Sequence, residues 1–164
     1  MPNWCECELE VSGNKEDLDR FKEHAKGNNG IIDFNKFIPY PEKYRKLDNI
    51  SEQAEIETPL FNSRYVKDGY NSGGYEWCIK NWNTKWNASE VSILDEYDGY
   101  TRYRFDTPWS PPEKVIIKMG KVFSMLRFSL SYWEGGAGYQ GSLEIENGRI
   151  INRNEENYHG NRGG

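Results

Sequence analysis

The sequence predicts an α+β domain in which an antiparallel sheet carries helices packed on one face. Three observations lead there. The clear strand segments alternate apolar and polar residues, so each would bury only one face. Segments with helical spacing and end signals fall between those strands. The resulting order is strand, helix, strand, helix, two strands, helix, then two or three strands, and it makes a split βαβ, ferredoxin-like arrangement the natural candidate. The 164-residue length suits one domain, which we read over residues 1–151.

In "WCECELEVS", a period of two puts Cys5, Cys7, Leu9 and Val11 on one face and Trp4, Glu6, Glu8 and Glu10 on the other. "NKEDLDRFKEHAKG" is a helix: Asn14 caps it, Glu16 and Asp17 favour its positive end, and Leu18, Phe21 and Ala25 form the stripe that Gly27 ends. His24 lies beside that stripe as a packing or boundary residue. "IIDFNKFIPYP" reads as a strand closed by Pro39 and Pro41. Residues 43–74 are polar and without sustained periodicity, so they read as an inserted loop with room for one short helix. "YEWCIKNW" resumes helical spacing, and Cys78, Trp82 and Trp86 would share a face if the helix ran on through Asn83.

"SEVSILDEYDGYTRYRFDT" makes two strands around Asp98-Gly99, with Tyr103 and Phe105 on one face and Arg102, Arg104 and Asp106 on the other. "SPPEKVIIKMGKVFSML" carries the strongest local signal. Ser110 caps, Pro111 takes the first helical position and Glu113 closes a capping box. Val115, Ile116, Met119, Val122, Phe123 and Leu126 would be its buried face, with Gly120 weakening the middle. "RFSLSYW" is a strand, and "YQGSLEIENGRII" a hairpin over Asn147-Gly148. Residues 152–164 have no means of building a core and read as a disordered tail.

Only 36% of residues are hydrophobic while 15% are aromatic, so a few large rings must fill the core. The net charge of −5 disfavours a general phosphate-backbone binder, although 21 Lys and Arg leave room for local basic patches. No apolar run approaches the roughly 20 residues of a membrane span, and no signal-peptide pattern opens the chain. The expected location is the cytoplasm of a host cell, where the sequons at Asn49 and Asn87 carry no meaning. Cys5, Cys7 and Cys78 make no disulfide framework or metal knuckle, and the first two read as core thiols.

The candidates for chemistry all lack parts. Gly136, Gly138 and Gly141 spell GxGxxG, but a strand pattern follows where a dinucleotide site needs a helix, so the glycines read as a bulged hairpin loop. Of the two histidines, His24 and His159, the second is in the tail, so a His-based triad, shuttle or zinc site lacks parts. Asp95, Glu96 and Asp98 beside a turn read as solvated charge. Pro2, once Met1 is removed, offers a secondary amine beside Arg102 or Arg104, which ordinary processing produces without catalytic purpose. No catalytic residue, metal or cofactor is assigned. The glutamate-striped sheet face opposes phosphate; a solvated surface is its simple reading and a protein-docking surface its sharper one.

"MPNWC", "NWNTKWNA", "FDTPWSPP" and "ENG", in that order, resemble the YubB ferredoxin-like domain family, uncharacterised proteins carried by phages and plasmids. The resemblance runs from Met1 to about Ile151, with the 43–74 insert and the tail outside it. The family more usually has Gly where this chain has Asn83, and Asn where it has Cys7. What the resemblance implies is a ferredoxin-like fold and a mobile-element setting; it supplies no catalytic residue. It also implies that the residues of those phrases gather in one place. Trp82, Trp86 and Phe105 are then read as structural aromatics, and Trp4, Lys85, Arg104 and Trp109 as the rim of a pocket for a planar anion. The functional expectation is a non-enzymatic accessory protein that binds a host component, as an anti-defence inhibitor of a defence protein or of its nucleotide signal. The alternative is a single-stranded nucleic-acid-binding module using exposed aromatics with Arg102, Arg104, Arg127 and Arg149.

Overall fold

A computed structural model of the chain describes residues 3–57, 67–160 and 162. The order is β1 (Trp4–Ser12), α1 (Lys15–Ala25), α2 (Glu42–Glu57), α3 (Tyr75–Trp82), β2 (Ser89–Tyr97), β3 (Tyr100–Pro108), α4 (Glu113–Val122), β4 (Arg127–Glu134), β5 (Tyr139–Glu146) and β6 (Arg149–Asn157). All pairings are antiparallel in one six-stranded sheet of order β2-β3-β1-β4-β5-β6. The first four positions form the ferredoxin-like sheet, with α1 and α4 as its crossovers. The β5–β6 hairpin extends it past β4.

The period-two patterns place the core. Cys5, Cys7, Leu9 and Val11 are buried on the same face as Tyr103, Phe105, Phe128, Leu130, Tyr132, Leu143 and Ile145. Helix α1 covers that face with Leu18, Phe21 and Ala25, and α4 covers it with Val115, Ile116 and Met119. Rings do much of the filling: Phe21 meets Phe123 and Phe128 edge to face, each at 5.4 Å. His24 joins this group against Phe37 and Phe123. Gly120 weakens α4 as a helix former but lets it approach the sheet, since a Cβ there would lie 2.4 Å from Ile145 Cγ2. Asn14 caps α1 as its position predicts, its Oδ1 accepting from the Asp17 amide at 2.8 Å.

Five expectations need correction, the first being Val122, which was expected on the buried face of α4 and is 47% exposed at its last position. The segment read as a strand from Ile31 forms instead a 3₁₀ turn over Phe34–Lys36, because the Asp33 carboxylate accepts the Asn35 amide at 3.0 Å and gives the backbone a local partner. The insert read as a loop contains the 16-residue α2, whose mostly charged surface hides its period. In α4, Ser110 is not the cap. The helix begins only at Glu113, after both prolines, so neither Pro111 at the first helical position nor the capping box forms, and the Ser110 hydroxyl donates instead to Asn83 O at 2.6 Å. Residues 152–157 are not tail but part of β6, exposed on both faces at the sheet edge and therefore without apolar alternation. Residues 58–66 of the insert lie outside the described residues, as do 161, 163 and 164, Met1 and Pro2.

Both tight turns stand where dipeptides place them, at Asp98-Gly99 and at Asn147-Gly148, where both φ angles are positive. The glycine-rich stretch is a hairpin loop. Gly136 N and Ala137 N donate to the buried Glu134 carboxylate, so its backbone amides hold a carboxylate of the chain itself.

Candidate functional site

Helix α3 ends at Trp82, and Asn83 takes a left-handed conformation at φ 70°. This single residue separates the two tryptophans. Cys78 and Trp82 are buried on the inner side of α3, with Trp82 Nε1 donating to Ile38 O at 2.8 Å. Trp86 leaves the helix line and is 37% exposed, against the expectation of one shared helical face. Its ring meets Trp4 edge to face at 6.2 Å.

The loop that carries Trp86 is fastened on both sides. Toward the segment before α4, Asn83 Nδ2 donates to Pro111 O at 3.0 Å and Thr84 Oγ1 to Pro108 O at 3.0 Å. Trp109 N donates to Asn3 O at 3.0 Å, which joins the N-terminal phrase to the same corner. Toward the 3₁₀ turn, Asn87 Nδ2 donates to Asp33 at 2.7 Å, while its Oδ1 accepts from Phe34 N at 2.9 Å. Burial alone would push the Asp33 carboxyl up, but donors from Asn87, Asn35 and the Asn29 backbone outweigh it and hold the pKa below the ordinary value. Gly27 makes this possible, since a Cβ there would fall 2.2 Å from the same carboxylate.

Between α2, the turn at Tyr70–Gly74, α3 and this loop lies a cleft of about 230 Å³. Tyr40, Trp82 and Trp86 supply its aromatic lining, and Arg45, Lys85 and Asp48 its charges. Tyr40 packs on Trp82 at 6.2 Å and on Trp77 at 5.7 Å. Burial, then the charge of Asp48, raises the Tyr40 phenol, and burial pushes Tyr70 up to about 12. Burial, with Asp48 adding, also pushes the Cys78 thiol up to about 12, so at neutral pH it is a thiol and a poor nucleophile.

The residues read as a pocket rim are brought together in part. Lys85 Nζ stands 4.8 Å over the Trp109 ring and 5.9 Å over Tyr75. Trp109 is 42% exposed and held at φ 68°. Trp4 touches Trp86, whereas Arg104 lies on the open sheet face with its guanidinium 3.3 Å from Glu6. Of the residues read as structural, Trp82 and Phe105 are buried and Trp86 lines the cleft. Sequence reasoning missed Tyr40, Arg45, Asp48 and Tyr70. The aromatic recurrence at Tyr40, Tyr44, Tyr70 and Tyr75 was the available signal, within and beside a segment set aside as loop.

The arginines of the nucleic-acid reading are largely engaged. Arg102 is 3.6 Å from Glu8 and 3.4 Å from Asp95, and Arg127 is 2.8 Å from Glu144. Glu96 of the acidic turn pairs with Lys22 at 2.9 Å. No described helix is long and apolar enough to cross a membrane.

Residues 81–161 match a family model described as the ferredoxin-like domain in Api92-like protein. That span contains Trp82, Lys85, Trp86 and Trp109 and runs into the segment that sequence reading left outside its resemblance. The uncharacterised protein YubB of Escherichia coli (strain K12) is 29% identical over 109 residues, spanning 59% of this chain and 73% of that protein. The crystal structure of a protein api92 from Yersinia pseudotuberculosis superposes with a TM-score of 0.61 at 12% identity, over 99% of this chain and 100% of that one. At that identity the likeness concerns fold alone.

Proposed function

We propose that the chain, which is similar to the uncharacterised ferredoxin-like proteins of the YubB/Api92-like family, is a non-enzymatic binding protein for a small planar anion. The observation that carries this reading is the cleft lined by the rings of Trp86 and Tyr40 and by the two cations Arg45 and Lys85, which outnumber the single carboxylate of Asp48. Aromatic surface with nearby cations suits a planar ring bearing a phosphate. At about 230 Å³ the cleft is smaller than the roughly 300–1,000 Å³ of drug-sized sites, so one ring system is its natural occupant. In the mobile-element setting that the sequence resemblance implies, that ligand would be a host nucleotide signal, held rather than turned over. The neutral Cys78 thiol favours holding.

The test has two parts. Native mass spectrometry of the protein purified from cells should show a retained mass of mononucleotide size. Titration with adenosine and guanosine monophosphates should quench Trp86 fluorescence, and Trp86→Ala should weaken binding about tenfold, the worth of one stacking contact. If neither nucleotide binds below millimolar concentration, or Trp86→Ala leaves binding unchanged, the reading fails.

A further inference from the structure

The open face of the sheet holds a cation that comes from outside its strands. Arg162, beyond β6, lies across β1 and β4 with its guanidinium carbon 4.1 Å from the centre of the Trp133 ring. Its Nε is 3.6 Å from Glu6, and its terminal nitrogen donates to Glu8. In the strand register Trp133 stands opposite Glu6, so ring and carboxylates are presented by neighbouring strands. The two glutamate side chains are only 16% and 15% exposed.

This is the geometry that suits arginine. A guanidinium is planar: one face can lie on an indole while its edge donates to carboxylates, which an ammonium cannot match. The surrounding surface is acidic. Glu6, Glu8, Glu10, Asp106 and Asp95 share it with only Arg102 and Arg104 from the same three strands. Arg162 brings little else with it. Its side chain is 38% exposed, and the connection is fastened by Tyr158 N donating to Gly138 O at 2.8 Å and by the Tyr158 hydroxyl on Arg162 O. Its departure would uncover the ring and leave Glu6 and Glu8 with Arg104 at 3.3 Å and Arg102 at 3.6 Å as their remaining cations.

We propose that Glu6, Glu8 and Trp133 form a recognition site for an arginine side chain, occupied in cis by Arg162 and open in trans to an arginine-bearing segment of a basic partner protein. The cis residue is a tethered competitor: the partner's apparent affinity is its intrinsic affinity multiplied by the fraction of molecules in which Arg162 has left. This site is on the opposite side of the sheet from the buried face, and its fate is independent of the aromatic cleft.

The probes are acetylated, amidated tetra-arginine and tetra-lysine peptides titrated into the full chain, followed by the NMR signal of the Trp133 indole N–H. Arg162→Ala should bind tetra-arginine about tenfold more tightly than the unaltered chain. Arg20→Ala removes the same charge from α1 and should produce no such gain. Glu8→Gln, which keeps shape, should cancel the gain when combined with Arg162→Ala, with thermal melting confirming that the double variant is folded. Tetra-lysine should gain far less than tetra-arginine. An unchanged affinity in Arg162→Ala would overturn the proposal. So would an equal gain for tetra-lysine or for Arg20→Ala, which would reduce the effect to net charge.

Discussion

The indole rings of Trp4 and Trp86 meet edge to face with centroids 6.2 Å apart at 72°, joining the first strand to the loop after α3. Trp82, four residues earlier, has no part in that pair and is buried against Phe34 at 5.8 Å and Trp77 at 5.5 Å. Two tryptophans that look equivalent in sequence thus have different surroundings.

Their substitution should separate accordingly. Trp82→Ala opens a cavity and strands the Ile38 carbonyl, so it should cost about 3–5 kcal/mol in urea unfolding. Trp86→Ala loses one partly exposed ring contact and should cost about 1 kcal/mol. Equal losses would refute the division between core and cleft.

Asn83 supplies a left-handed cap and a hydrogen bond to Pro111. Asn83→Gly relieves the backbone and loses the bond, so the net change should stay within about 1 kcal/mol. Asn83→Ala loses the bond and keeps the strain, and should be the less stable of the two by about 1 kcal/mol. Chemical unfolding of the pair measures the difference directly.

Asp33 has a folded pKa below its unfolded value, so it binds protons more weakly when folded. Its contribution to stability is present above the unfolded carboxylate pKa and is lost as pH falls through the folded one. Asp33→Asn should therefore flatten the acid side of the stability–pH curve and cost about 1–3 kcal/mol at pH 7. An unchanged acid limb would show that the asparagine donors do not favour the charged form.

Glu113 on α4 is buried beside the Tyr132 hydroxyl and receives Arg153 of β6 at 2.6 Å. The arginine side chain is 61% exposed, which discounts the pair. Arg153→Ala should still cost about 1–2 kcal/mol by leaving a buried carboxylate with a weak partner. Hydrogen exchange should show faster opening of β6 amides in that variant. Exchange already complete within seconds in the unaltered chain would contradict a paired strand at 149–157.

By itself the sequence determined the fold class, the two crossover helices, the tight turns and the inward face of each central strand. These follow from local rules: a period of two or 3.6, a side-chain cap, a dipeptide suited to positive φ. It also brought the tryptophan-bearing phrases together through resemblance. Tertiary structure alone decided what depends on partners far along the chain. The strand expected at Ile31–Tyr40 gave way because Asp33 gained donors from Asn87, 54 positions away, as well as from its neighbours. The continuation of β6 over residues 152–157 could not be read because an edge strand solvated on both faces is paired through its backbone, which leaves no apolar alternation. Trp86 departed from Trp82 because one αL residue turned the chain. The cleft was illegible for the same reason: its walls come from separate segments, and only packing sets them face to face.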